Sequence, residues 1–189
     1  MTNPSVLVLS GSSRAGSINT KLATAAAAKL KAAGVAVTQI SLADFPLPLV
    51  DATGFGNHPA EALKLRELID AHAGLFITSP EYNAGYAPAL KNALDWATVA
   101  KPGAPATGLA GKVVAIGGAS PGPMGGYRGM TQLRSVLDLG MGALVIPQMI
   151  AVGGGDAAWN EDGSLKDDRT AEFLDGVVAS LVKEIRLLR

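Results

Sequence analysis

A chain of 189 residues and 19.2 kDa has the length of one compact α/β domain, so residues 1–189 are read as a single unit. With 48% hydrophobic and 17% charged residues it is not a disordered chain, and it has apolar surface enough for a core covered on both faces. Sixteen basic residues balance sixteen acidic ones, which argues against nucleic acid or an anionic membrane as partner, and the lack of cysteine excludes disulfides, thiolate nucleophiles and cysteine metal sites.

The opening Met1-Thr2-Asn3-Pro4 has no basic segment and runs into Val6-Leu7-Val8-Leu9, too short for a signal peptide or membrane helix, so the expected location is the cytoplasm. Short apolar runs then alternate with longer segments of helical period. That alternation is the signature of a doubly wound parallel sheet. Five runs read as strands: residues 5–9, 35–40, 74–78, 112–117 and about 142–146. The first, third and fourth are almost continuously apolar, as burial on both faces requires.

Ile18, Leu22, Ala26 and Leu30 recur every fourth residue and predict a helix over 18–33, ended by Gly34. Pro59 opens a second helix, and Pro88 a third whose buried side is Leu90, Leu94 and Ala97. A fourth is expected from about Met130 to Leu139. The last, about Thr170 to Leu188, is expected to turn Phe173, Leu174, Val177, Val178, Leu181 and Ile185 inward. Two longer loops interrupt the pattern, one with Pro46, Pro48, Gly54 and Gly56, the other spanning Gly117–Gly129. In open α/β sheets the loops after strands carry the ligand.

The first strand runs into Ser10-Gly11-Ser12-Ser13-Arg14-Ala15-Gly16-Ser17-Ile18-Asn19-Thr20, with a helix at its far end. Exposed amides at a helix start, the helix dipole, the hydroxyls of Ser12, Ser17 and Thr20, and the charge of Arg14 together make an anion site. Ser17 or Asn19 could instead simply cap the helix. Position directly after a buried first strand favours the anion reading. Gly11 and Gly16 have Walker spacing, but Ser17 and Ile18 stand where that loop has Lys, and no G-x-G-x-x-G is present. A single terminal phosphate, as in FMN, suits a hydroxyl-rich loop better.

The third strand ends at Ser79-Pro80-Glu81-Tyr82-Asn83-Ala84-Gly85-Tyr86, where Tyr82 can cover a flat heterocycle and Asn83 can meet its polar edge. Tyr82 alone reads equally as an ordinary loop aromatic, and Trp96 as core or subunit interface. Lys91, Asn92 and Asp95 share one helix and read as local caps or pairs. After the fourth strand comes Ala119-Ser120-Pro121-Gly122-Pro123-Met124-Gly125-Gly126-Tyr127-Arg128, in which Ser120 is a third candidate contact and Arg128 reads as a surface arginine. His58 in a loop and His72 at a helix end are expected to face solvent or cap. The acidic residues are scattered and give no metal constellation.

These segments, Gly11-Ser12-Ser13-Arg14 with Ser17 and Asn19, Pro80-Glu81-Tyr82-Asn83 continuing through Leu90-Lys91-Asn92-Ala93-Leu94-Asp95-Trp96, and the Ser120–Arg128 loop, resemble the NADPH-dependent FMN reductase family. The likeness covers nearly the whole chain. It implies a flavodoxin-like, doubly wound, five-stranded parallel sheet with helices on both faces. It also implies an FMN site built from Ser12, Ser13, Arg14, Gly16, Ser17, Ile18 and Asn19 around the phosphate, Pro80, Glu81, Tyr82 and Asn83 against the ring, and Ser120 closing the pocket. Ser13 departs from the family, which usually has an apolar residue there. The resemblance further implies hydride transfer from NADPH (or NADH) to FMN, then electron transfer to a quinone, free flavin or other small acceptor, with no catalytic side chain required. A homodimer or homotetramer is expected, with Tyr127 and Arg128 near subunit contacts. A flavodoxin-type electron carrier or a non-catalytic flavin-binding module is the alternative; carriers are usually strongly acidic, and this chain is neutral.

Overall fold

The computed structural model describes residues 4–51, 57–98 and 108–188; the loop glycines Gly54 and Gly56 lie outside them. Five parallel strands form the sheet: β1 (Ser5–Ser10), β2 (Ala36–Ser41), β3 (Gly74–Ser79), then, after a short hairpin of β4 (Glu81–Tyr82) and β5 (Gly85–Tyr86), β6 (Val113–Ala119) and β7 (Leu144–Val152). Their order is β2-β1-β3-β6-β7, so the chain reverses direction across the sheet between β1 and β3. This is the flavodoxin-like arrangement.

Alternation along each strand explains the two-faced core. Val6 and Val8 point to one side, where α1 (Ile18–Ala32) and α5 (Asp168–Leu187) cover them. Leu7 and Leu9 point to the other, beneath α2 (Ala60–Ala71), α3 (Pro88–Thr98) and α4 (Tyr127–Ser135). In α1 the fourfold spacing of Ile18, Leu22, Ala26 and Leu30 puts all of them inside. Leu22 is fully buried, and such a leucine stabilises the fold by about 1.5–3 kcal/mol relative to exposure.

Several sequence expectations need correction. Phe173 is 47% exposed, because the inward stripe of α5 begins at Leu174 and a neighbouring residue lies about 100° around the helix. The fourth helix starts at Tyr127 rather than Met130 and passes into a wider π-type turn over Val136–Gly140. The last strand runs through Pro147 to Val152, which an edge strand permits. Of the two roles expected for His72 it takes the capping one and not the solvent-facing one: it is the buried C-cap residue of α2, with Nδ1 2.6 Å from the Leu68 carbonyl and Nε2 2.8 Å from Thr38 Oγ1. Lys91 and Asp95 do pair within α3, but Asn92 acts at long range, accepting from Val50 N at 2.8 Å and donating to the Pro48 carbonyl at 2.9 Å. Trp96 is core, and its indole donates to the same Pro48 carbonyl.

Strand register positions the functional edge. Ser10 aligns with Ser41 on one side and Thr78 on the other, and Thr78 aligns with Gly117. The loops after β1, β3 and β6 therefore leave the sheet at one level, side by side.

Candidate functional site

At this carboxyl edge the three loops enclose an open cleft of about 190 Å³. Ser12, Arg14, Ser17, Ile18 and Asn19 form one wall, Pro80, Glu81 and Tyr82 the second, and Ala119, Ser120 and Pro121 the third. A larger groove of about 510 Å³ lies beyond Ser13, between Leu42–Leu49 and the start of α3; its lining carries no charged side chain. The smaller cleft has the donors and charge, and it sits at the switch point, so it is the candidate site.

The β1–α1 loop is held from beneath. Gly11 N donates to the Thr78 carbonyl at 2.7 Å, and a Cβ at Gly11 would stand 2.7 Å from that same oxygen, so only glycine allows the loop to lie this close to β3. Gly16, at φ +64°, turns the chain into α1. Ser17 caps the helix, its Oγ accepting from Asn19 N at 3.2 Å. Lys21 N bonds back to the Ser17 carbonyl, and the amides before it are those a helix leaves without an internal partner. Arg14 is exposed at the rim. Nearby, Lys21 Nζ meets Asp156 Oδ1 at 2.7 Å; that hydrogen bond and its charge, with a further contribution from Arg14, hold the Asp156 carboxyl below the usual range.

Two side chains of this loop turn inward. The Thr20 hydroxyl, expected to face a phosphate, pairs with Ser10 Oγ at 2.8 Å. The Asn19 side chain, 100 residues away in sequence, pairs with both backbone groups of Ala119. Asn19 thus forms the floor of the cleft rather than a free donor.

The second wall is a hairpin that sequence reasoning missed. Its turn residues, Asn83 and Ala84, have φ of 48° and 65°, the left-handed pair of a tight hairpin turn. Glycine, the usual signal, comes one position later at Gly85. Tyr82 projects from the hairpin and is 58% exposed. The Glu81 carboxylate is directed away toward α4: Oε1 accepts from Arg128 Nε at 3.0 Å and Nη2 at 2.5 Å, and Oε2 from Gly129 N at 3.0 Å. The Gly129 bond and the Arg128 charge outweigh burial and lower the Glu81 pKa. Arg128 is therefore more than a surface arginine. Ser13, Gly16 and Asn83 stand outside the lining proper: Ser13 faces the larger groove, Gly16 shapes the loop, and Asn83 is exposed at the hairpin tip. On the third wall Ser120 N donates to the Val152 carbonyl, fixing the start of the glycine loop against β7.

A parallel sheet of this order, with an amide- and hydroxyl-lined cleft at the β1/β3 switch point, defines a nucleotide-cofactor protein of the flavodoxin-like class. Within that class the chain belongs to the NADPH-dependent FMN reductase family, whose sequence pattern it matches over residues 4–157. It is 35% identical over 185 residues to an NAD(P)H-dependent FMN reductase of Pseudomonas aeruginosa, covering 97% of this chain and 96% of that one. It is 32% identical over 187 residues to a quinone reductase of Escherichia coli, with 97% and 96% covered. Among solved structures it is similar to FerB, a flavoenzyme NAD(P)H:(acceptor) oxidoreductase of Paracoccus denitrificans, with a TM-score of 0.81, 30% identity and coverage of 97% and 98%. The chain is accordingly an NAD(P)H-driven flavin oxidoreductase with FMN as its cofactor.

Proposed function

We propose that the cleft is the FMN site and that the chain reduces quinones or other small acceptors at the expense of NAD(P)H. The observation that carries this reading is the convergence of a helix-start anion loop and an exposed tyrosine hairpin on one cleft at the switch point. The residues present fit FMN. The start of α1, the Ser12 and Ser17 hydroxyls and the Arg14 guanidinium suit a phosphate, and Pro80, Tyr82 and Ser120 suit the ring. Bound FMN supplies the redox chemistry, taking hydride equivalents from a nicotinamide and returning electrons to an acceptor.

This chain's own residues hold and orient. Arg14 and the α1 amides would hold the phosphate; Asn19 ties two walls of the cleft together; the hairpin would present Tyr82 to the ring. Tyr82 leaves its outer face open to solvent, where nicotinamide and acceptor can alternate. A quinone acceptor is favoured by the quinone reductases among the relatives. Exposed Met124 and Tyr127, between β6 and α4 and at the first position of α4, favour a homodimer or homotetramer, which sedimentation would test. Among the described residues no helix is long and apolar enough to cross a membrane. The cytoplasm, where NAD(P)H is available, is the proposed location, and cell fractionation checks it.

The deciding experiment is anaerobic mixing of the FMN-loaded protein with NADPH or NADH. Rapid bleaching followed by reoxidation on adding a quinone is expected. Persistent yellow colour under excess nicotinamide would overturn the enzyme reading in favour of a flavodoxin-type carrier or a flavin-binding module.

A further inference from the structure

Helix α4 begins without a cap of its own, because Gly126, at φ +86°, precedes it and offers no side chain. Glu81 supplies the missing acceptor from 48 residues away, its Oε2 receiving Gly129 N in the helix's first turn. Arg128 then grips Oε1 with two nitrogens. One turn later Gln132 Nε2 donates to the Ala84 carbonyl at 3.0 Å. The helix also lies flat on the hairpin: a Cβ at Gly129 would stand 2.9 Å from the Gly85 carbonyl oxygen.

These contacts converge on a turn whose second residue does not hold its shape by local preference. Asn83 suits left-handed backbone, but Ala84 beside it occupies the same region without being glycine or asparagine, and such a residue persists where its surroundings over-determine it. Tyr82 is carried between Glu81 and this turn. The Glu81 side chain is 8% exposed and that of Arg128 57%, so the arginine lies over the carboxylate as an outer brace.

We propose that Arg128 is a positioning residue for flavin binding: with Gly129 N it clamps Glu81 to α4 and so fixes the height and tilt of the Tyr82 hairpin against the ring. The Glu81 carboxylate acts through this clamp, both of its oxygens being engaged by α4. The inference rests on the cleft being the FMN site. It assigns Arg128 to the ring end, in contrast to Arg14 at the phosphate end.

The two ends are separable with riboflavin, which has the ring but no phosphate. Arg128→Ala, Arg128→Lys, Glu81→Gln and Arg14→Ala are compared with the unaltered protein, reading Kd for FMN and riboflavin by fluorescence quenching and, without flavin, deuterium exchange over residues 81–86. Arg128→Ala is expected to raise exchange in the hairpin and weaken FMN and riboflavin together, each by roughly tenfold or more, as the loss of a charge-assisted bidentate contact implies. Glu81→Gln should do the same. Arg128→Lys should restore part of both, one ammonium replacing a two-nitrogen grip. Arg14→Ala should weaken FMN alone and leave hairpin exchange unchanged. Unchanged exchange and unchanged riboflavin affinity in Arg128→Ala would overturn the clamp while leaving the FMN site standing. Failure of the unaltered protein to bind either flavin would overturn the site assignment itself, and the clamp's flavin role with it.

Discussion

The side chain of Asn19 grips both backbone groups of Ala119: Nδ2 donates to the Ala119 carbonyl and Oδ1 accepts from the Ala119 amide, each at 2.9 Å. Asn19 is 2% exposed and Ala119 likewise 2%, so water cannot replace either bond. This pair joins the start of α1 to the end of β6 and fixes the distance between two walls of the cleft.

Asn19→Ala should therefore act first on stability. Two buried backbone groups would lose their partners, at about 1–3 kcal/mol each, and the midpoint of urea unfolding should fall accordingly. FMN binding in native conditions should weaken as a secondary effect of the altered wall spacing. An unfolding midpoint equal to that of the unaltered protein would show that the pair does not bear on the fold.

Arg14 gives a different pattern, since it is exposed and its removal leaves no buried group unpaired. Arg14→Ala should keep the unfolding midpoint and weaken FMN by roughly 1.5–3 kcal/mol, the worth of a hydrogen bond to a charged group. Titration calorimetry with FMN checks it. Unaltered FMN affinity would remove Arg14 from the phosphate site.

The parts of this architecture that were legible in the sequence are those written as period. Ile18, Leu22, Ala26 and Leu30 announce α1, and the continuous runs at Val6–Leu9 and Leu75–Ile77 announce strands buried on both faces. Boundaries marked by a misleading local signal were not legible. Pro147 reads as a strand end yet lies inside edge strand β7, and Phe173 sits in an apolar run wider than one helical face. In the cleft, residue types and loop positions were legible because they follow strands directly. What each side chain does there was not. Thr20 and Asn19 satisfy buried partners, and Glu81 meets Arg128, through contacts set by the packing of segments that are distant in sequence or on opposite sides of a turn.

The same packing gives Glu81 a pH signature. Its pKa is lowered in the folded protein, chiefly by the Gly129 amide and also by Arg128, so its stabilising contribution is fully present above the ordinary glutamate value of about 4.3 and is lost as pH falls through the depressed folded value. Below that window the hairpin should loosen. Deuterium exchange over residues 81–86 should rise from pH 5 toward pH 3, and in Glu81→Gln, which lacks the titrating group, that rise should be smaller once the intrinsic pH dependence of exchange is removed. Equal rises in the two proteins would assign the acid sensitivity to another group.

Tyr82 separates holding from chemistry. The ring is 58% exposed on the hairpin, and among the described residues its hydroxyl makes no hydrogen bond. Tyr82→Phe keeps the flat surface and should retain most of the nicotinamide-dependent reduction rate at saturating FMN. Tyr82→Ala removes that surface; FMN should bind more weakly, and the rate at saturation should fall, since misplacing reacting atoms by about 1 Å can cost on the order of a hundredfold. Anaerobic stopped-flow reduction of both variants, each loaded to saturation, distinguishes the effects. Loss of reduction in the Phe variant as complete as in the Ala variant would mean that the hydroxyl itself takes part, and a site that works by holding and orienting FMN would have to be replaced by one in which the protein moves a proton.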